Sequence, residues 1–407
     1  MKTFIDPNLL HRLRVGPLAP YLDAYLKHVQ QEGFLPASAP MQLYAIARFS
    51  KWLGDRSVDL RRLDEAIVKR FLERDPGALH SCESATLGRL LALLRRIGVT
   101  VAKVPEPGNS QQQFIEAYRR YLLQKRGLAV ATVAYFVRFA DEFLSDRFGS
   151  GDLNLVGLCA RDVTGFVQQR ARRLSPGRAK LLVTALRSLL RYMRHQGEIS
   201  VDLARCVPPV ATWSLSTLPK SLPAGAIQRI LDHSERETPQ GKRNYAVLLL
   251  LARLGLRACE IVTLELDDID WDHGRITIGG KGGRLAQMPL PTDVGEAIAL
   301  YLRSGRPYST CRRVFLRHRA PVRGFAHSIT VSSIVRRALI AAGIDSARKG
   351  AHLFRHTLAT DLLRQEVSLD EIGELLRHQS PNTTALYAKV DLIALCSLAL
   401  PWPGGAQ

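Results

Sequence analysis

Four short segments in the C-terminal half of the chain carry side chains able to hold an anion, move a proton or act as a nucleophile. In Gly255-Leu256-Arg257-Ala258-Cys259-Glu260 an apolar run stops at glycine and an arginine emerges just beyond it. Glu260, three residues on, is near enough to hold that guanidinium by a charge-assisted hydrogen bond. Lys281 stands at the tip of Gly279-Gly280-Lys281-Gly282-Gly283, where backbone freedom lets a loop turn sharply and approach a ligand. In His352-Leu353-Phe354-Arg355-His356 the three-residue spacing points His352 and Arg355 to one side of a helical turn. The last segment is Leu375-Leu376-Arg377-His378, followed by Ser380-Pro381 as N-cap and first helical position. Tyr387, nine residues past His378, then falls about two turns into a short helix. Each piece alone is ordinary: an end-of-helix ion pair, a basic hairpin tip, a packing tyrosine. A metal centre would want further His or carboxylate ligands at suitable spacing beside the histidines, and none adjoins them.

The elements that must position these groups read as helices with one small sheet. Ala246 to Leu256 is an apolar helix ending near Gly255. Asp268 to Trp271, Arg275 to Ile278 and Arg284 to Leu290 read as strands, with turns at Asp272-His273-Gly274 and at the glycine-rich segment. Everything after about Pro291 reads as helix. Upstream, Pro208, Pro209, Pro219 and Pro223 make Val210 to Leu222 an extended, exposed linker.

The first half reads as two similar helical units. In the second, Ser110-Gln111-Gln112-Gln113 opens a helix as a capping box, and the helix runs to about Arg126 before Gly127. Its next helix carries Tyr135, Phe139, Phe143 and Leu144, at nearly the intervals of Tyr44, Phe49, Trp52 and Leu53 in the first unit. Leu63, Val68 and Phe71 match Leu158, Val163 and Phe166, and each unit ends in a basic amphipathic helix stopped by Gly98 or Gly197. On the last helix Lys180, Arg187, Arg191 and Arg194 share one face while Leu182, Leu186 and Leu189 face the other way. Such a stripe is either an ordinary solvated face or a surface that tracks phosphates.

The chain has 407 residues and a formal net charge of +20. The excess is +5 over residues 1–110, +8 over 111–214 and +7 over 215–407, so the middle third is the most basic per residue. That balance favours a polyanionic partner, nucleic acid first and an acidic membrane second, over charge that serves solubility alone. Hydrophobic residues make up 46%, which excludes wholesale disorder. The apolar run Ala246 to Ala252 is far short of the roughly 20 residues that a membrane span needs. No apolar leader follows Met1, and the six cysteines form no Cys-x-x-Cys pair, as in a reducing cytosol.

Taken together, the four segments resemble the catalytic domain of the tyrosine recombinases, the phage integrase family, over roughly residues 220–395. The family's arginine box matches Arg257 and Glu260, its hairpin lysine Lys281, and its His-x-x-Arg-His box His352, Arg355 and His356. Its Leu-Gly-His box with a tyrosine nine residues on matches His378 and Tyr387. Arg377 stands where the family usually has glycine and Phe354 where it usually has leucine. Arg377 alters the turn before His378 or adds a phosphate contact. The helical unit at 110–207 resembles the family's core-type DNA-binding domain, which turns the stripe of Lys180, Arg187, Arg191 and Arg194 into a candidate DNA contact.

The resemblance implies a mainly α protein. Two SAM-like, core-binding-type helical domains are expected at 1–105 and 110–207, the first of them extra to the family's common layout of one helical domain, followed by a linker at 208–223 and a mostly helical catalytic domain at 224–400 with a small antiparallel sheet. It implies attack of Tyr387 on a DNA phosphodiester, leaving a 3′-phosphotyrosyl link and a free 5′-hydroxyl. His352 is then the base for a phenol whose ordinary pKa is about 10. Arg257 and Arg355 stabilise the charged transition state, Lys281 protonates the departing 5′-oxygen, His378 donates a hydrogen bond to the phosphate, and Glu260 orients the site. No cofactor and no metal are expected. The expected partners are double-stranded DNA and further recombinase copies, in a homo-tetramer or a hetero-tetramer with related recombinases on paired sites. A cytoplasmic, nucleoid-associated enzyme of a mobile element fits, with no membrane contact. Two alternatives are a type IB topoisomerase-like strand transferase and a DNA-binding regulator with a retired active site.

Overall fold

The computed structural model describes residues 4–74, 83–101, 109–149, 153–210, 221–280, 285–346, 348–378 and 380–387. They fall into two compact units, one within residues 103–216 and one within residues 1–102 and 217–407. The small sheet and the dominance of helix agree with the expected class. Lys281 lies outside the described residues, as do linker residues 211–220.

The first five helices are α1 (Pro7–Leu13), α2 (Leu22–Gln31), α3 (Ala39–Asp55), α4 (Glu65–Glu73) and α5 (Glu83–Arg96). They close around Tyr25, Leu43, Phe49, Phe71 and Leu94. In the other unit α6 (Ser110–Arg120), α7 (Val130–Phe148), α8 (Ala160–Ala171) and α9 (Pro176–His195) bury Tyr118, Phe143, Phe166, Leu186 and Met193. Burying such a side chain contributes about 1.5–3 kcal/mol. Here Asn109, not Ser110, is the N-cap of α6, its side chain accepting from the Gln112 amide at 2.8 Å. The straight α-helix ends at Arg120 and gives way to a π-helical turn over Tyr121–Lys125.

The two helical sets share details beyond apolar spacing. Trp52 meets Phe71 edge-on at 5.6 Å and Phe143 meets Phe166 edge-on at 5.1 Å. The Leu60–Arg62 turn leads to α4 as Leu155–Gly157 leads to α8. After α5 and after α9 the chain turns through Gly98 (φ +76°) and Gly197 (φ +77°). The next amide in each case reaches back over 3.0 Å, Val99 to the Leu94 carbonyl and Glu198 to the Met193 carbonyl.

From residue 221 onward the chain forms α10 (Ala226–Asp232), α11 (Pro239–Leu254), α12 (Ala258–Thr263), then β1 (Ile269–Asp270), β2 (Arg275–Gly279) and β3 (Leu285–Pro289), an antiparallel sheet in the order β1-β2-β3. Thr238 caps α11, its hydroxyl accepting from the Gly241 amide at 3.0 Å, and Ala246 through Leu251 on that helix are all buried. α13 (Thr292–Ser304) packs on α11. The expectation of helix throughout the remainder fails at residues 305–328, where the chain is irregular and carries bridges pairing Glu265 with Arg313 and Leu316 with Gly324. Prolines and glycines break helical hydrogen bonding there, and Arg306 satisfies freed carbonyls of Arg313 and Val314 instead. The remaining helices are α14 (Ile329–Ala341), α15 (His352–Arg364), α16 (Leu369–Leu375) and α17 (Pro381–Thr384).

Two contacts bear on how the segments join. Leu222 is buried rather than exposed, and its amide donates to the Thr357 hydroxyl on α15 at 2.9 Å. The Val322 amide donates to the Glu32 carbonyl at the end of α2 at 2.8 Å, joining the first helical set to the 305–328 segment.

Candidate active site

Arg257 is the N-cap of α12, so its side chain leaves the helix where Glu260 occupies the third helical position. The guanidinium donates to Glu260 Oε1 and the Arg257 amide to Oε2, both at 2.8 Å. Arg377 also donates to Oε2, at 2.9 Å, and a second guanidinium nitrogen of Arg257 faces the Arg377 carbonyl at 3.4 Å. One buried carboxylate thus serves two arginines.

Arg355 lies in the first turns of α15 and is buried. Its guanidinium donates to the Gly255 carbonyl at 2.6 Å and to the Leu376 carbonyl. It therefore pins the end of α11 to the end of α16. Gly255 adopts φ +57°, and a Cβ there would lie 2.7 Å from a Leu376 methyl. Glycine gives both the left-handed turn and the close approach. Burial, and then the charges of Arg257 and Arg377, lower the Arg355 pKa to about 10, so it stays protonated at neutral pH. Three guanidinium groups around one carboxylate leave an excess of positive charge, which suits an anionic ligand.

α16 ends in a Schellman turn. The Arg377 amide bonds to the Glu374 carbonyl and the His378 amide to the Gly373 carbonyl, each at 2.9 Å. Arg377 occupies the left-handed position of that turn at φ +55°. The family's glycine adopts it freely, whereas a residue with a Cβ is strained there by roughly 1–2 kcal/mol. Arg377 thus makes a turn that glycine would make without strain.

His378 Nδ1 shares a hydrogen bond of 2.7 Å with Thr384 Oγ1, and its ring stacks near-parallel on Tyr387 at 6.3 Å. Burial, then Arg355 and Arg257, lower the His378 pKa to about 4, so it is neutral at physiological pH. Tyr387 is 2% exposed and its hydroxyl lies 2.9 Å from His356 Nδ1. Burial raises the Tyr387 pKa, with Arg355 opposing. The expected partner of the phenol, His352, sits one turn earlier on α15, with its ring 6.4 Å from that of His356. Both imidazoles are held below the ordinary histidine pKa, by burial first; neighbouring arginines act on both, and the other ring on His356. Tyr387 follows α17, whose four residues are shorter than the expected two turns, and Ser380 caps it without a side-chain hydrogen bond.

Arg257, Glu260, Arg355, His378 and Tyr387 therefore converge from four elements, with His352 beside them. Three contributors had no catalytic role from the sequence: His356, matched only as part of the His-x-x-Arg-His box, lies four residues from His352 on the same helix face; Arg377 stood out as a departure from glycine; Thr384 had no signal. On α9, Lys180, Arg191 and Arg194 are exposed, whereas Arg187 is half-buried and donates to the Val207 carbonyl at 2.9 Å. Arg194 is paired with Asp202 at 3.2 Å.

Residues 220–392 match the profile of the phage integrase family. Over 410 aligned residues, the whole of both chains, the sequence is 46% identical to y4rA of Sinorhizobium fredii, a protein named as an integrase/recombinase. The chain belongs to the tyrosine recombinase family. The tyrosine recombinase XerD of Mycobacterium tuberculosis is 32% identical over 303 residues, 69% of this chain and 94% of that protein. Among solved structures, a XerH site-specific recombinase bound to a palindromic difH substrate superposes with TM-score 0.56 at 19% identity, over 89% of this chain and 96% of that one. A lambda integrase tetramer bound to a Holliday junction gives TM-score 0.53 at 17% identity, over 74% and 86% of the two chains. These likenesses establish the recombinase fold. Within this tyrosine recombinase the family profile leaves both helical sets, α1 to α5 and α6 to α9, unmatched. Among the described residues no helix is long and apolar enough to cross a membrane.

Proposed function

We propose that this recombinase cuts and rejoins DNA at specific sites through a 3′-phosphotyrosyl intermediate on Tyr387. The observation that supports this reading is the gathering of the Tyr387 hydroxyl, His356, His378 and Arg355 at one place, next to the Arg257–Glu260 pair. Attack by the Tyr387 oxygen on phosphorus forms the new P–O bond and breaks the bond to the 5′-oxygen. The phenolic proton passes to an imidazole, and Lys281 supplies a proton to the departing 5′-oxygen. Arg257 and Arg355 face the non-bridging oxygens, where the negative charge gathers. The neutral His378 adds a hydrogen bond. A 5′-hydroxyl from a second site reverses the step, so bond energy is kept without ATP or water.

His356, in hydrogen-bond reach of the phenol, takes the role that the family resemblance implied for His352. His352, at the start of α15 and more open to solvent than His356, then faces the phosphate or relays the proton. Because Tyr387 is buried, the segment after His378 shifts when DNA enters. The base must be neutral to accept a proton, and its pKa is lowered. Cleavage is therefore expected to hold steady from neutral pH down past the ordinary histidine value of 6.5 and to fall only below it. Single-turnover cleavage of a nicked suicide duplex as a function of pH tests this; an acid limb centred above 6.5 contradicts it.

Double-stranded DNA is the partner, with four recombinase subunits, alike or of related kinds, on paired sites. We place the enzyme in the cytoplasm with the nucleoid and assign it to a mobile element. The α9 face tracks phosphates: Lys180→Glu with Arg191→Glu is expected to weaken DNA binding at all sequences and to flatten its dependence on log[salt] by roughly two. Equal affinity and equal slope in a filter-binding titration would restore an ordinary solvated face. The function itself is tested with nicked duplexes made from the DNA flanking the gene. A covalent adduct mapped by mass spectrometry to Tyr387 is the expected product, and attachment at any other residue overturns the reading.

A further inference from the structure

Arg377 departs from the family's glycine, holds a left-handed backbone that glycine would adopt without strain, and points its guanidinium inward. One terminal nitrogen donates to Glu260 Oε2 at 2.9 Å, and the other contacts the Met288 sulfur on β3 and the Leu375 carbonyl at 3.3 Å. Its carbonyl faces Arg257. The side chain is 14% exposed against 31% for Arg257. Arg257, not Arg377, is the cation offered to a ligand.

We infer that Arg377 is a positioning residue of this recombinase: by gripping Glu260 and β3 it fixes the guanidinium of Arg257 for the scissile phosphate. The inference rests on the reading of this cluster as the cleavage site. Glu260 accepts three hydrogen bonds, all from Arg257 and Arg377. With Arg377 in place the carboxylate has no freedom to rotate, and Arg257 cannot swing without breaking its own pair. The contact with Met288 extends the hold to β3, which with β2 flanks the segment containing Lys281. Two of the family's catalytic elements and the turn before His378 are thereby tied to one side chain. A glycine makes the turn but ties nothing.

That difference sets the test. Arg377→Gly relieves backbone strain, and Glu260 keeps Arg257 as its partner, so the variant folds, with a melting midpoint close to that of the parent. Its single-turnover cleavage of the suicide duplex is expected to fall by roughly 10- to 100-fold, with duplex affinity within about twofold. Arg377→Lys, which keeps a cation at that position, is expected to recover part of the rate. In a double-mutant cycle with Glu260→Gln the second substitution should add little, because both act through Arg257; multiplied losses would mean a separate contact of Arg377 with DNA and overturn the inference. Full-rate cleavage by Arg377→Gly overturns it as well. Were that variant unstable, Arg377→Asn, which tolerates the left-handed turn, carries the same expectations. A parent protein that forms no adduct would count against the cleavage site itself, whereas an adduct at Tyr387 in both parent and variant at equal rates removes only the role of Arg377.

Discussion

Replacing Tyr387 with phenylalanine is expected to abolish the covalent protein–DNA adduct while leaving duplex affinity within about twofold. The substitution removes one oxygen and keeps the ring. That ring is packed among Ala359, Ile372 and Leu376, so the fold is retained. The single hydrogen bond lost, to His356, costs about 1 kcal/mol. Chemistry, by contrast, loses its only means of forming the phosphoryl link, and no loss of binding accompanies it, because affinity comes from cations along the DNA backbone. Trapping on a nicked duplex followed by denaturing electrophoresis reads the result. An adduct surviving in Tyr387→Phe would falsify the assignment of the nucleophile.

The second large effect is expected at Arg355. Arg355→Ala removes a permanent charge from the transition-state site and leaves the Gly255 and Leu376 carbonyls without their donor. Preorganised donors of this kind are worth about 10²–10³ in rate each, and a well-placed arginine up to about 10⁵. Cleavage is therefore expected to fall at least about 10³-fold. Buried acceptors stripped of their donor cost about 1–3 kcal/mol apiece, so the melting midpoint falls too. Arg355→Lys separates the two effects: the charge remains, but an ammonium lacks the planar fork that spans both carbonyls and still faces the phosphate. It should recover stability in part and rate hardly at all. Cleavage by Arg355→Ala within tenfold of the parent would remove Arg355 from the chemistry, and an unchanged midpoint would remove it from the packing.

These expectations draw on different kinds of information. The Arg257–Glu260 pair was legible because three residues on one helical turn bring two side chains together whatever surrounds them. The same logic placed His352 and Arg355 on one side of α15 and separated the cations of α9 from its leucines. The matched intervals of large apolar residues in the two helical sets were legible too, and the structure sets Trp52 edge-on to Phe71 and Phe143 edge-on to Phe166. The irregular 305–328 segment was not, because its backbone is satisfied by Arg306 and by bridges to distant residues rather than by a periodic pattern.

The amino-acid sequence alone determined which candidate side chains this recombinase offers for its proposed chemistry and the order in which the chain presents them, because residue type and local spacing are properties of a few consecutive positions. Only the tertiary structure decided their partners. Tyr387 lies against His356 rather than His352 because of how the chain after His378 packs on α15. Arg355 staples two helix ends separated by more than a hundred residues. Arg377 turns inward onto Glu260 because the Schellman turn of α16 is brought against α12. Such choices depend on which surfaces meet across the core, and that is set by the packing of whole elements, not by any spacing within them.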